Sequence, residues 1–286
     1  MKLSFWTLGM PSWPNTEVAT RASSLGYDGV DLRCTSNNGN LSVNSSDEEL
    51  QIIRRVFAEV GVELSCLLGY NRGGHDGEKV DWDVVEAELI DLAGVAGKLG
   101  CSQMRVQVTR PAQSWTWNWN DYLDKLGAAS LAAVKRTPGL TAVFENHVGS
   151  ASALQLLQMV EAKGDDRLGV VFSPDHCVVM QEDSVELADR YAAAISQVCL
   201  ADRRAVEENL GAFDGRYYYV RYETCLMGEG LVPTSKILDT LARKGYDGYV
   251  ALKWEKSDSF GQHLPDGGTA LRHYIDYMRG LGFAKS

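Results

Sequence analysis

The stretch Leu25-Gly26-Tyr27-Asp28-Gly29-Val30 returns near the other end of the chain as Lys244-Gly245-Tyr246-Asp247-Gly248-Tyr249. Both copies read as a helix end, a glycine stop, a turn and the first residues of a strand. Two equivalent helix-to-strand junctions so far apart predict that the same unit recurs between them. β-rich runs do recur, at Leu3–Thr7, Gly29–Arg33, Glu63–Leu68, Met104–Val108, Thr141–His147, Gly169–Ser173, Gln197–Ala201 and Tyr249–Trp254. Helical patterns separate them. Ser46-Asp-Glu-Glu49 is a capping box followed by Leu50, Ile53 and Phe57 on one face. Asp83–Leu99 carries apolar residues at helical spacing and stops at Gly100, and Leu154, Leu157, Val160 and Ile237, Leu238, Leu241 mark later helices. Strands alternating with helices pair in parallel through right-handed crossovers. About eight such units predict an α/β fold of the (β/α)8 TIM-barrel class, one domain over residues 1–286. No GxGxxG follows the first strand, which argues against a dinucleotide-binding open sheet.

The 286 residues carry 28 Lys and Arg against 38 Asp and Glu, a net charge of −10. Such a surface repels phosphate backbones and anionic lipid, so neither nucleic acid nor a membrane is expected as a partner. No apolar run approaches the roughly 18 residues of a membrane span, and Pro11 and Pro14 interrupt the N-terminal one. The six cysteines are scattered with no CxxC pair, as expected of reduced thiols in a cytoplasmic enzyme.

In a barrel the chemistry lies where strands end and loops begin. Those positions hold Arg105, Glu145-Asn146-His147, Ser173-Pro174-Asp175-His176, Cys199-Leu200-Ala201-Asp202-Arg203 and Lys253-Trp254-Glu255. Glu145 closes the apolar run Thr141-Ala-Val-Phe144, and a carboxylate buried there requires a cation or metal beside it. It is either a general base or metal ligand, or half of a structural ion pair. His147 and His176 share the rim, as proton shuttles or as loop anchors. Trp115, Trp117 and Trp119 either cover the site, with Trp115 stacking on a sugar face, or pack on the barrel mouth. His75 sits in a glycine-rich loop, and His263 and His273 read as structural or surface residues.

These rim residues resemble the xylose-isomerase-like TIM-barrel superfamily of sugar isomerases and epimerases. That group includes tagatose-type 3-epimerases, inosose dehydratases, hydroxypyruvate isomerases and, more distantly, endonuclease IV. The most specific match is Gly228-Glu229-Gly230, then a helix, then Gly245-Tyr246-Asp247-Gly248 leading into the last strand. Glu145-Asn146-His147 is similar to the family's fifth-strand motif, and Ala201-Asp202 to the seventh-strand end of hydroxypyruvate isomerases. The resemblance implies one divalent metal held by Glu, Asp, His or Gln, and Glu from strands five to eight. Glu145 matches the first ligand. Ser173, Cys199 and Lys253 stand at the other three, with Glu255 two residues beyond.

Serine binds a divalent ion poorly and an ammonium repels one, so no metal is expected; a Mn, Mg or Zn site would draw on Glu145, Asp175 and Cys199. In its place Lys253 would set a positive charge opposite Glu145, able to polarise a carbonyl or, with a lowered pKa, to form a Schiff base. The expected activity is isomerisation or epimerisation by proton abstraction beside a carbonyl, with Glu145 and Lys253 catalytic. Arg105, His147, His176, Asp202, Glu255 and Trp115 would bind a small polyhydroxylated or keto substrate. The alternatives are a lyase or dehydratase on the same barrel, and a non-catalytic carbohydrate-binding protein. A homo-oligomer fits the relatives.

Overall fold

A computed structural model describes residues 1–35, 39–70, 75–76, 79–108, 118–209, 218–256 and 263–284. Eight parallel strands make up the barrel: β1 (Lys2–Phe5), β2 (Gly29–Cys34), β3 (Glu63–Gly69), β4 (Gln103–Val106), β5 (Thr141–Glu145), β6 (Leu168–Phe172), β7 (Ile195–Leu200) and β8 (Tyr249–Leu252). They hydrogen-bond in the order β1-β8-β7-β6-β5-β4-β3-β2, and a single bridge between Trp6 and Asp31 joins β1 to β2. The fold is the (β/α)8 barrel that the alternating pattern predicts. Most strands end one or two residues earlier than the apolar runs do, because Thr7, Val108, His147, Ala201 and Trp254 already lie beyond the strands.

Helices α1 (Asn15–Leu25), α2 (Asp47–Glu59), α3 (Trp82–Leu99), α4 (Trp119–Val134), α5 (Ala153–Lys163), α6 (Pro174–Met180), α7 (Ser184–Arg190), α8 (Thr234–Arg243) and α9 (Gly267–Gly280) connect them. The capping box at Ser46 forms, with Glu49 N–H donating to the Ser46 hydroxyl and Ser46 N–H to the Glu49 carboxylate. The echoed junctions are equivalent: Gly26 and Gly245 take the left-handed conformation at φ 85° and 83°, and Tyr27 and Tyr246 N–H close the helix ends at 3.0 Å. A β-carbon would strain both turns.

Two antiparallel pairs were not expected, the shorter being His75–Asp76 with Lys79–Val80. The chain leaves β7 through an antiparallel hairpin, Asp202–Asn209 paired with Tyr218–Cys225, before reaching α8. The six cysteines are free and buried.

Side chains alternate across a strand, so every second residue points into the barrel. The interior layer holds Trp6, Cys66, Leu68, Val143, Val171, Cys199 and Ala251. Two residues further on, toward the C-terminal ends, the same inward faces carry Glu145 after Val143, Ser173 after Val171 and Lys253 after Ala251. The barrel's own periodicity therefore converges these three groups above an apolar layer, where each is buried.

Candidate functional site

Glu145 stands at the centre. Its Oε2 accepts from Arg105 Nε at 2.8 Å and Nη2 at 2.6 Å, and its Oε1 accepts from Lys253 Nζ at 2.8 Å and Ser173 Oγ at 3.3 Å. Lys253 also lies 3.2 Å from Glu255 Oε1 and 3.1 Å from His176 Nε2. Arg203 extends the arrangement: it is 3.8 Å from Glu255 and donates to Asp175 Oδ2 at 3.0 Å. Charge thus alternates around the mouth in the order Arg105, Glu145, Lys253, Glu255, Arg203, Asp175. Three cations offset three anions, which is what permits so many charges at low exposure.

Neighbours brace this row. Arg105 Nη1 donates to the Gly69 carbonyl at 2.8 Å, and its guanidinium lies 5.4 Å from the Trp6 ring centroid and 5.2 Å from that of Tyr70. Lys253 Nζ is 5.4 Å from the same Trp6 ring. The indole quadrupole favours both cations there. Asn146 ties β5 to the residue after β6, accepting from Ser173 N–H at 2.8 Å and donating to its carbonyl at 2.9 Å. His147 packs tilted against His176 with ring centroids 4.1 Å apart and directs Nδ1 to the Val148 carbonyl at 3.0 Å, so that nitrogen carries the proton.

Electrostatics fix the ionisation states. Burial alone would raise the Glu145 pKa, but Lys253 and then Arg105 hold it well below the usual carboxylate range. Burial would lower Lys253, but Glu145, Glu255 and Asp175 together push it above the ordinary lysine value. The amine is therefore protonated, which overturns the expectation of a Schiff-base nucleophile. Burial, Lys253 and His147 depress His176 well below the usual histidine value, leaving a neutral imidazole that accepts from the ammonium.

The structure brings Arg105, Glu145, His147, His176, Lys253 and Glu255 together. It gives Asp202 another task than substrate binding. That buried carboxylate accepts from the backbone N–H groups of Arg203, Gly228, Gly230 and Val232 at 2.9–3.1 Å, and so fastens the loop before α8. Trp115 and Trp117 lie outside the described residues, whereas Trp119 opens α4 and packs edge-on against Tyr122. His273 is structural, its Nε2 donating to the Met227 carbonyl at 2.8 Å. Sequence reasoning assigned no role to Trp6, Tyr70 or Asn146, although each directly follows a barrel strand. Arg203 and Asp175 were both visible at strand ends, but their pairing was not.

The donor set does not fit the divalent ion that the resemblance implies. Both oxygens of Glu145 already bind cations, and the Lys253 ammonium lies where a ligand would have to donate an electron pair. Asp175 is engaged by Arg203, and burial first, then Glu145, raises the Cys199 thiol well above its ordinary value, so it keeps its proton. Among the described residues no three His, Cys, Asp or Glu side chains group as a metal site requires.

The chain is 25% identical over 284 residues to a "putative hydroxypyruvate isomerase" of Streptomyces coelicolor, with 91% of this chain and 93% of that protein covered. D-Psicose 3-epimerase from Clostridium cellulolyticum H10 superposes with a TM-score of 0.73 at 12% identity over all of both chains. The "probable 3-DHS dehydratase AsbF" of Bacillus anthracis superposes with a TM-score of 0.72 at 14% identity, covering 97% and 99% of the two chains. Proteins named as an epimerase and a probable dehydratase thus share the fold, and none of the described helices is long and apolar enough to cross a membrane. Residues 19–281 match the family described as xylose isomerase-like TIM barrel, and the chain belongs to that family.

Proposed function

We propose that the protein is an enzyme that abstracts a proton next to the carbonyl of a small polyhydroxylated or keto substrate, with isomerisation as the outcome. The observation that carries this reading is the contact between Lys253 and Glu145, 2.8 Å long and buried at the C-terminal end of the strands. Paired with Lys253, Glu145 is neutralised and a weak base. A carbonyl oxygen that takes over the hydrogen bonds of Lys253 and Arg105 releases the carboxylate from them. Its basicity then rises just where the substrate C–H lies. The same two cations stabilise the enediolate oxygen as negative charge develops on it. Lys253 supplies in this scheme the charge that a divalent ion supplies in the family's metal-dependent members, and no step passes through a metal.

A second reading, a dehydratase, is favoured by one feature. Epimerisation needs two groups that exchange protons on opposite faces, whereas the partner of Glu145 is a protonated amine. A base paired with an ammonium suits β-elimination, in which Lys253 gives its proton to a departing hydroxyl. Mass analysis of the products from hydroxypyruvate and a ketohexose panel separates the readings. Isomerisation leaves the mass unchanged, and elimination removes one water. Binding of a ketose without any product supports the carbohydrate-binding alternative and overturns both.

A further inference from the structure

The barrel holds another buried carboxylate, on the far side of the apolar layer from the charged mouth. Asp31 on β2 is fully buried, and it accepts from Ser4 Oγ of β1 at 3.1 Å, Ser65 Oγ of β3 at 2.5 Å and Gln197 Nε2 of β7 at 2.9 Å. Every one of these partners is neutral, in contrast to Glu145 with its two cations. The titratable groups that feel Asp31 are the thiols Cys66, Cys101 and Cys199 and the phenols Tyr246, Tyr249 and Tyr274. All are raised and uncharged at neutral pH. Glu63 and Asp28 also act on Tyr249, and Glu63 is itself paired with Lys2 at 2.9 Å.

A buried carboxylate without a counter-ion is costly, and a proton removes the cost without needing space. The surroundings can receive that proton. Gln197 Oε1 is buried without a partner, on the amide that already touches Asp31. Turning that amide over presents the orphaned oxygen to a carboxylic acid. Ser4 and Ser65 can rotate their hydroxyls to keep their bonds.

The position matters for the whole barrel. β1 and β2 terminate the strand order, and the bridge that joins them is Trp6 with Asp31. Thr7 Oγ1 donates to the Asp31 carbonyl at 3.3 Å and accepts from Arg33 N–H at 2.9 Å across the same seam. Trp6, the other half of the bridge, is the residue whose ring lies beside Arg105 and Lys253.

We infer that Asp31 is a proton-binding site built into the β1–β2 seam, whose neutral form holds the seam closed and whose ionised form loosens it. Burial pushes the Asp31 carboxyl up to about 7, against the smaller opposing effect of its three hydrogen bonds. In the unfolded chain the group titrates near 3.9. The folded protein therefore keeps this proton over a range in which the unfolded chain releases it. The stabilisation is fully present below about pH 4 and is lost as pH rises through about 7.

The test compares wild type with Asp31→Asn in thermal unfolding at pH 5.5 and pH 8. The neutral amide, which binds no proton in either state, is expected to raise the melting temperature by several degrees more at pH 8 than at pH 5.5. Wild-type amides in Lys2–Trp6 and Gly29–Cys34 should also exchange faster at pH 8 than intrinsic rates explain. Equal destabilisation of Asp31→Asn at both pH values overturns the inference. Should the variant not fold, infrared spectra of wild type decide: a protonated carboxyl band present at pH 6 and gone by pH 8.5 is expected, and no such band at pH 6 overturns it. The other carboxylates whose pKa is shifted move downward and do not contribute there.

Discussion

Lys253 Nζ donates to Glu145 Oε1 at 2.8 Å, with 2% and 1% of the two side chains exposed. A pair so dry is a poor source of net stability, because desolvation offsets most of the attraction. Its separate halves are another matter. Lys253→Met leaves Glu145 Oε1 with the Ser173 hydroxyl and no cation, and breaking a buried pair in this way costs about 3–5 kcal/mol. Denaturant unfolding should show that loss together with loss of turnover. Unchanged stability would mean that solvent reaches the pair.

The ionisation states predict an acid limb. Glu145 and Glu255 are both held below the ordinary carboxylate value, so the stability they contribute is present above about pH 4.3 and falls as pH drops through their folded values. His176 is also depressed, and its contribution begins to decline below about pH 6.5. Melting temperature measured from pH 7 to pH 3 in an Asp31→Asn background, where the Asp31 proton does not offset the decline, should fall first with His176 and then with the carboxylates. Lys253→Met, by releasing Glu145, should move the carboxylate limb upward.

Asp202 is predicted to matter for folding rather than for chemistry. Asp202→Ala strands backbone donors at Gly228, Gly230 and Val232, and a loss of about 2–4 kcal/mol is expected. KM for any substrate found should shift less than in His176→Asn. A change in KM without a change in stability would return Asp202 to the binding site.

The misfit of the donor set to a divalent ion can be reversed by substitution. Ser173→Asp with Lys253→Glu restores two of the carboxylates that the family uses beside Glu145. Elemental analysis after dialysis against manganese or zinc should find the ion in this double variant and not in wild type. A stoichiometric ion in wild type would show that Lys253 moves aside for it.

The barrel was legible because its signals are local. A left-handed glycine after α1 and again after α8, a capping box before α2 and apolar runs of strand length each depend on a few neighbouring residues. The inward convergence of Glu145 and Lys253 was legible for a related reason, since strand periodicity fixes the face once the fold is known. What stayed hidden depends on side chains meeting across the barrel. Asp202 looks like any rim carboxylate until its backbone partners 26 to 30 positions later are seen. Arg203 and Asp175 are 28 positions apart, and Asp31 reads as a polar break in an apolar strand. That Lys253 is driven upward, against its desolvation, was also unreadable, because the sign depends on how many carboxylates surround the amine.

The most direct test of the proposed chemistry is deuterium uptake from heavy water into hydroxypyruvate and a ketohexose panel, using chelator-treated wild type and Glu145→Gln. Proton abstraction by Glu145 beside a carbonyl, with Lys253 and Arg105 supplying the positive charge, predicts deuterium at the carbon next to the carbonyl with wild type and none with the folded variant. Exchange that survives Glu145→Gln, or that requires added manganese, magnesium or zinc in wild type, would contradict it.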